Sequence, residues 1–304
     1  MADIATIDIH THTHQTSRNG IQAMGGTERV PGYTGTIDEL ILLMERENIT
    51  YAGMQNFTPV WDMKRAAYRR LPEDLSANQR EIREQEIQSE LLLRVTRRND
   101  WTCEVAREHS NLLGFIGIDP IMDSSTMFNE VERCSESGSV GIKLHTAVQR
   151  FSLNDKALWP AYEAAEQFGI AILAHSGPFQ GAGEGARPEE ARHVLNDFPN
   201  LNLILAHCGG QPHFEEAIKV ANEFPQLNFD CCGLVSGNPT SNDPSDSDLV
   251  RLFRSIGTDR IMFGTDWPFR DPIPDVHRVL KLALSDDEKE KILSQNAMRI
   301  MNLD

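Results

Sequence analysis

Residues 140–175 read VGIKLHTAVQRFSLNDKALWPAYEAAEQFGIAILAH, and this stretch decides the fold. An apolar run at 140–145 is followed by a segment at 155–168 with apolar residues every three or four positions, and then by a second run at 170–175. Short apolar runs predict buried strands, and the intervening period predicts an amphipathic helix. Strand, helix and strand in this order predict two parallel strands joined by a crossover helix.

The same alternation continues along the chain in both directions. Apolar runs predict strands at Ile4–Ile9, Ile49–Phe57, Leu112–Ile118, Val140–His145, Ile170–His175, Leu201–His207, Leu227–Cys231 and Arg260–Phe263. Helical periods lie at Ile37–Glu47, Met127–Ser137, Asp155–Phe168, Pro188–Phe198, Phe214–Phe224 and Asp248–Ile256. This pattern predicts the α/β class and a (β/α)8 TIM barrel, with residues 1–304 forming one domain. A doubly wound open sheet is the alternative, but no strand is followed by the glycine fingerprint of nucleotide-binding sheets.

Three segments depart from the regular alternation. Residues 61–109 are too long for one crossover, and the charged part at 73–99 has a helical apolar period, so we expect a helical insertion after strand 2. It could cover the barrel mouth, contact a neighbouring subunit, or be a solvated helix rich in ion pairs. Residues 177–187 and 233–247 are rich in Gly, Pro and polar residues and follow strand ends, where barrel enzymes carry binding loops.

The composition limits the class of protein and partner. The chain has 304 residues and a net charge of -16, from 29 Lys and Arg against 45 Asp and Glu, which argues against nucleic acid or an anionic membrane surface as the partner. The five cysteines form no CxxC pair, the first residues lack the features of a signal peptide, and no long apolar run predicts a membrane span. We therefore expect a cytoplasmic protein.

Histidines and one aspartate stand at the predicted strand ends. His10 and His12 end the first strand, His145 the fourth, His175 the fifth and His207 the sixth, and Asp266 follows the eighth. In a parallel barrel these ends face one mouth, and residues two apart on a strand share a face. A single histidine at such a place is usually structural, but their convergence predicts a metal site.

Lys143 and His145 lie on one face of the fourth strand, which predicts that both point into the barrel. A buried lysine needs a compensating charge. Interior carboxylates or the anionic group of a substrate could provide it, and a carboxylated lysine that bridges two metal ions is a third option.

The motifs at these strand ends resemble those of the amidohydrolase superfamily, in its amidohydrolase-related branch, family 2. The motifs are Asp8-Ile9-His10-Thr11-His12, Gly141-Ile142-Lys143-Leu144-His145, Leu173-Ala174-His175-Ser176-Gly177, Leu205-Ala206-His207-Cys208-Gly209-Gly210, Phe263-Gly264-Thr265-Asp266-Trp267-Pro268 and Asn296-Ala297-Met298-Arg299. The branch includes aminocarboxymuconate-semialdehyde decarboxylase and lactone hydrolases. The resemblance implies that His10, His12, His175 and Asp266 bind the metal, Zn²⁺ or another divalent ion such as Mn²⁺. It also implies that His207 is the catalytic acid and base, and that Asp266 is both a ligand and a catalytic residue.

Three functions are compatible with these features. We expect first a metal-dependent hydrolase in which a metal-activated water attacks an ester, lactone or amide of a small carboxylated molecule. Lys143, His145 and Trp267 would bind this substrate, with the loop residues Arg18 and Arg187 as further candidates. The alternative is a metal-dependent decarboxylase of an aromatic or muconate-type acid, and a third option is a barrel that binds a ligand without catalysis. A homodimer formed through residues 61–109 is one option for assembly.

Overall fold

Parallel strands arranged in chain order form the centre of the molecule. The computed structural model describes residues 5–179, 185–237, 239–240 and 243–303. Within these ranges one sheet has the order β1 to β8, and every neighbouring pair is parallel. The strands are β1 Thr6–Thr11, β2 Ile49–Gln55, β3 Leu112–Gly117, β4 Ser139–Leu144, β5 Ala171–Ala174, β6 Leu203–Leu205, β7 Asn228–Asp230 and β8 Ile261–Met262. The predicted (β/α)8 TIM barrel is confirmed, while Ile4, the predicted start of the first strand, lies outside the described residues.

Helices alternate with the strands around the sheet. They are α1 Ser17–Ala23, α2 Ile37–Glu47, α3 Val60–Tyr68, α4 Ala77–Glu108, α5 Ser124–Glu136, α6 Thr146–Gln149, α7 Trp159–Phe168, α8 Pro188–Asp197, α9 Phe214–Glu223, α10 Asp246–Ile256, α11 Pro272–Lys281, α12 Asp286–Glu290 and α13 Asn296–Ile300. The bounds predicted for α2 are confirmed at both ends. Its start is fixed by a capping box in which Thr36 and Glu39 satisfy each other's backbone N–H groups.

Hydrogen bonds between the first and the last strand close the barrel. Ile9 N donates to Phe263 O at 3.0 Å, and Asp266 N donates to His10 O at 2.8 Å. Farther along, His12 N donates to Trp267 O at 2.6 Å. Residues from opposite ends of the chain therefore lie side by side at one edge of the mouth.

The predicted insertion after strand 2 is confirmed and consists of α3 and α4. Helix α4 begins at a capping box formed by Ser76 and Gln79, and its first turns are largely exposed. Its second half packs against β3, where the Asn99 side-chain amide donates to Gly117 O at 3.0 Å and accepts from Gly117 N at 2.9 Å. The insertion thus supplies the crossover between β2 and β3 as well as an exposed extension.

Buried apolar side chains fill the space between the strands and helices and hold the mouth residues in place. Phe115, Leu173 and Ile204 belong to one buried cluster, and a larger cluster includes Ile172 and Phe253. Burying an aliphatic or aromatic side chain of this size stabilises the fold by about 1.5–3 kcal/mol. All five cysteines are buried free thiols. Among the described helices, none has the length and apolar character needed to span a membrane.

The two predicted binding loops follow β5 and β7. Residues 180–184 of the first loop and 238, 241 and 242 of the second lie outside the described residues. The first loop is joined at its base by a bridge between Ser176 and Ala186. Gly177, with φ of 85°, approaches Gly210 so closely that a Cβ on it would lie 2.6 Å from the Gly210 Cα atom.

Candidate metal centre

Three of the predicted metal ligands meet at the mouth of the barrel. One ligand atom from each of His10, His12 and Asp266 lies within 4.8 Å of the other two, an arrangement that could hold a metal ion. His12 Nε2 is 3.1 Å and His10 Nε2 is 3.8 Å from Asp266 Oδ1. His10 belongs to β1 and Asp266 follows β8, so the hydrogen bonds that close the barrel bring these ligands together.

The hydrogen-bond partners of the two histidines fix which ring nitrogens face the site. His12 Nδ1 lies 2.9 Å from Gln55 O, and His10 Nδ1 lies 2.8 Å from Asp230 Oδ2. Because these oxygens are acceptors, each Nδ1 carries the hydrogen, and each Nε2 of a neutral ring presents a lone pair. Burial lowers the pKa of His10 to about 4, so this ring is neutral at pH 7. The arrangement is the one that metal-binding imidazoles require.

The contact between His12 and Asp266 requires a positive charge. A lone pair on His12 Nε2 faces a carboxylate oxygen at 3.1 Å, and two acceptors at this distance repel unless a proton or a cation lies between them. Burial alone would favour protonated Asp266, but His12, His10 and His207 outweigh it and hold the pKa of this carboxyl well below its ordinary range. An ionised carboxylate beside two imidazole lone pairs is a suitable donor set for a divalent cation.

Lys143 points into the barrel, as its position on β4 predicted. The side chain is fully buried, and Nζ donates to His10 Nε2 at 2.8 Å, a hydrogen bond that a metal ion bound to this nitrogen would replace. Burial lowers the pKa of Lys143 to about 8, although Asp230 and Asp266 act in the opposite direction. Interior carboxylates thus offset part of the cost of burying the ammonium group, and the substrate-binding role of Lys143 stays a prediction.

His175 and His207 form a second pair beside the three ligands. His207 Nδ1 lies 2.8 Å from Cys232 O and must donate to it, so Nε2 of the neutral ring accepts a hydrogen bond from His175 Nδ1 at 3.1 Å. This leaves His175 Nε2 with a lone pair, and that buried atom has no partner within the described part of the chain. His175 does not belong to the group formed by His10, His12 and Asp266, but its unpaired Nε2 would be suitable as a fourth metal ligand.

His207 has an unusual backbone conformation. Its φ is 59° and that of Cys208 is 47°, both in the left-handed region that non-glycine residues rarely adopt. The His207 amide N donates to Asp230 Oδ1 at 2.8 Å, which fixes this turn after β6. The turn explains how His207 reaches the site although β6 ends at Leu205.

Asp230, at the end of β7, belongs to the site and was missed by our sequence analysis. It is fully buried and accepts hydrogen bonds from the His10 ring, from His207 N and from Cys232 N. Burial opposes its ionisation, yet its contacts with the His10 ring and with His207 N hold its pKa below the ordinary value. The signal was present, because Asp230 lies one residue before the end of the predicted strand Leu227–Cys231, close to the kind of position that His145 and His175 occupy.

A second cluster shares His10 but is a poor metal site. His10, Asp230 and Cys232 place ligand atoms within 4.8 Å of one another. The oxygens of Asp230 already accept from N–H donors, and burial raises the pKa of the Cys232 thiol well above its ordinary value. Cys232 is therefore protonated at neutral pH and is not a ready ligand.

Aromatic rings surround the histidines. Phe57 lies edge-on to His12 and contacts His145, while Phe179 contacts both His145 and His175. The rings of His145 and His175 stack with centroids 4.2 Å apart, and burial lowers the pKa of both histidines well below the ordinary value. The mouth therefore has flat apolar walls next to a polar floor.

The other predicted substrate-binding residues lie at the edges of this site or away from it. Trp267 is fully buried and packs against Tyr33, and its indole N–H has no hydrogen-bond partner within the described ranges. Arg187 pairs with Glu216 next to α8. Arg18 is an exposed residue of α1. The roles proposed for them in substrate binding stay predictions.

Comparison with known proteins gives a family and several relatives. The profile of the family described as Amidohydrolase matches residues 7–303. A 2-amino-3-carboxymuconate-6-semialdehyde decarboxylase from Dictyostelium discoideum is 25% identical over 239 residues, which are 68% of this chain and 66% of that relative. A gamma-resorcylate decarboxylase from Polaromonas sp. is 25% identical over 255 residues, 68% of this chain and 76% of the relative.

The fold is shared with solved structures of similar size. The structure of a dihydroxybenzoic acid decarboxylase from Polaromonas sp. JS666, with bound manganese and the inhibitor 2-nitroresorcinol, superposes with a TM-score of 0.70. It is 17% identical, and the alignment covers 98% of this chain and 97% of that chain. At this identity the likeness shows the fold alone.

These relatives correct the reaction expected from the sequence. The prediction of a hydrolase as the leading function is wrong, because the named relatives are decarboxylases. The physical reason is that histidines and an aspartate at strand ends create the same metal site for either reaction. Strand-end motifs alone therefore could not distinguish water attack on a carbonyl from proton transfer to carbon.

Proposed function

The chain belongs to the amidohydrolase family, and we propose that within it this protein is a metal-dependent decarboxylase of a small aromatic or muconate-type acid. The convergence of His10, His12 and Asp266 within 4.8 Å is the observation that carries the proposal. The choice of decarboxylation follows the two curated relatives.

The chain's own donors fit a divalent cation. His10, His12 and Asp266 would hold it, and His175, whose Nε2 is buried without a partner in the described residues, would be the fourth ligand. Two or three imidazoles and one carboxylate suit Zn²⁺ as well as Mn²⁺, and we retain both. When bound, such an ion supplies positive charge that stabilises negative charge developing on a substrate oxygen.

The reaction replaces a carboxylate by hydrogen, so it needs a proton donor next to the substrate carbon. The C–C bond to the carboxylate breaks, CO₂ leaves, and the electron pair that remains on carbon takes up a proton. We assign the delivery of this proton to His207, whose Nδ1 is held by Cys232 O and whose ring the strained turn points into the site. Nε2 would first take up a proton from solvent, giving up its contact with His175 Nδ1, and would then pass this proton to the carbon. Asp266, already ionised, would remain a ligand and orient the substrate.

The flat walls of the mouth suit an unsaturated ring or chain. His145 and Phe57 have ring centroids 4.8 Å apart, and Phe179 is 42% exposed although it contacts His145. Aromatic side chains arranged in this way favour a planar substrate through edge and face contacts. The small carboxylated molecule predicted from the sequence would thus lie between these rings, above the ligands.

The proposal is tested by a substrate panel with purified protein reconstituted with Mn²⁺ or Zn²⁺. Aromatic acids such as 2,6-dihydroxybenzoate and 5-carboxyvanillate are followed by CO₂ release, and lactones by ring opening. We expect CO₂ from at least one acid, one solvent deuterium on the product carbon in D₂O, and loss of activity after chelation.

Two histidine variants separate catalysis from folding. His207→Asn should lower kcat about 10²- to 10⁴-fold, which is the usual contribution of a general acid. His193→Asn, at an exposed position on α8, is the matched control and should leave kcat unchanged. Lactone ring opening without CO₂ from any acid would contradict the proposal, and so would CO₂ release that persists without metal.

A further inference from the structure

Arg98 occupies a half-buried position on the inner side of the inserted helix α4. It lies seven residues after Leu91, four before Thr102 and seven before Val105, all of which are buried on one face of the helix. Its neighbour Arg97 is exposed on another face and donates to the Leu93 carbonyl one turn back. A guanidinium on the buried face of a helix is costly unless an anion or a hydrogen-bond acceptor compensates it.

Within the described residues, the Nε atom of Arg98 has no such compensation. Its Nε is buried without a hydrogen-bond partner, and no carboxylate in the described residues lies within ion-pair distance of the guanidinium. Burial lowers the pKa of Arg98 to about 10, so the group is still a cation at pH 7. By contrast, Arg133 on the adjacent helix pairs with both Asp100 and Glu130.

A chain of contacts places Arg98 on the β1 and β2 side of the mouth. Thr102 Oγ1 donates to Arg98 O at 2.9 Å, and the Asn56 amide donates to Thr102 Oγ1 at 2.9 Å. Asn56 follows Gln55, whose carbonyl holds the ring of the ligand His12. The charge of Arg98 also reaches the ring of His14, two residues beyond His12.

Two further polar atoms at this place lack partners. His14 Nε2 and Asn56 Oδ1 are buried and accept or donate no hydrogen bond within the described ranges. The charge of Arg98 acts on His14, and Asn56 Nδ2 lies 3.4 Å from Thr13 Oγ1, so the three polar side chains lie on the side of the candidate metal centre where His12 is held. Unpaired buried polar atoms are costly, so their presence in Arg98, His14 and Asn56 is expected if a bound ligand completes their hydrogen bonds.

We propose that Arg98 binds an anionic oxygen of the substrate and makes the enzyme prefer acids over neutral molecules of the same shape. The inference rests on the proposed function, since it places the recognition of the substrate acid on the inserted helix. The ligand class is a small planar organic acid whose carboxylate or phenolate oxygen accepts from the guanidinium. Arg98 is then a specificity-determining residue that was not apparent among the many charges of α4.

A binding experiment tests this inference without relying on turnover. The probes are benzoate and benzamide, which differ in charge but hardly in shape, and the protein is Mn²⁺-loaded wild type, Arg98→Met or Arg97→Met. We expect wild type and Arg97→Met to bind benzoate more tightly than benzamide by calorimetry. Arg98→Met should weaken benzoate binding about 10- to 100-fold, the range for a lost charge-assisted hydrogen bond, and change benzamide binding less than twofold.

Thermal unfolding of the same variants distinguishes recognition from a structural role. Because Arg98 Nε is buried without a partner in the described residues, Arg98→Met should unfold at the wild-type temperature or above it. A wild type without preference for benzoate, or an Arg98→Met variant that keeps the preference, would overturn the inference. If benzoate preference depends on Arg98 while no acid releases CO₂, the decarboxylase proposal fails and the recognition role stands.

Discussion

Replacing Asp230 by asparagine tests whether this carboxylate prepares His10 for metal binding. Its Oδ1 accepts from His207 N at 2.8 Å and Cys232 N at 3.0 Å, and its Oδ2 faces His10 Nδ1 at 2.8 Å. In Asp230→Asn the amide oxygen must keep the two backbone donors, because a backbone N–H cannot become an acceptor. The new NH₂ group then faces the ring of His10.

The expected magnitude follows from this geometry. Two donors cannot pair, so His10 must move its hydrogen from Nδ1 to Nε2, and the lone pair that faces the site is lost. Loss of the group that orients a metal-binding histidine usually weakens metal affinity about 10- to 100-fold. This corresponds to about 1.4–2.7 kcal/mol at 25 °C.

The assay is calorimetric titration of Mn²⁺ into chelator-treated protein at pH 7.5, together with NMR of the His10 ring nitrogens. Asp119→Asn is the matched control, since Asp119 is also a buried carboxyl after a strand but bonds to Ile121 N and to Gln149. We expect only Asp230→Asn to weaken Mn²⁺ binding and to move the His10 hydrogen. A folded Asp230→Asn variant with the wild-type dissociation constant would refute the reasoning.

Three further predictions concern stability and the support of the site. Burial lowers the pKa of His14 from 6.5 to about 3, so its contribution to stability is complete above pH 6.5 and is lost as pH falls, at up to about 1.4 kcal/mol per pH unit. Urea unfolding of the metal-free protein at pH 4.5–7 should therefore show a shallower pH dependence of the free energy of unfolding for His14→Gln. The exposed control His193→Gln should show the wild-type pH dependence. A Cβ on Gly264 would lie 2.7 Å from the His10 Cβ atom, so Gly264→Ala should displace His10 and weaken Mn²⁺ binding in the same titration, and unchanged affinity would contradict this. Ile172→Ala in β5 should lower the free energy of unfolding by about 2–5 kcal/mol, measured by urea denaturation, and a loss below 1 kcal/mol would show that the core relaxes around the cavity.

The barrel and most of its strands could be predicted because hydrophobic periodicity reports directly on burial. The bounds of α2 were predicted from the spacing of its apolar residues, and the structure places the capping residue Thr36 and the left-handed Asn48 directly outside these bounds. The convergence of His10, His12 and Asp266 was predicted because parallel strands aim their ends at one mouth.

Other features depend on contacts that a strand or helix pattern does not contain. The turn that carries His207 uses left-handed backbone at two non-glycine residues, and only its hydrogen bond to Asp230 explains it. The role proposed for Arg98 depends on its Nε having no partner in the described residues, which a list of charges on α4 cannot show. The reaction itself depends on where a substrate carbon lies relative to His207, and ligand motifs do not encode that position.

The seam that closes the barrel has a consequence for biosynthesis. His10 and Asp266 lie far apart in the sequence and become neighbours when the barrel closes, through hydrogen bonds that include the one from Asp266 N to His10 O. During translation the part of the site that carries His10 therefore lacks Asp266 until the segment after β8 has left the ribosome. A cation bound to both residues would close a loop of more than two hundred residues. Cross-links that close such long loops reduce the conformational entropy of the unfolded chain the most. Metal supply in the cell would then govern how much of the newly made protein persists in the folded state, as well as how fast it works.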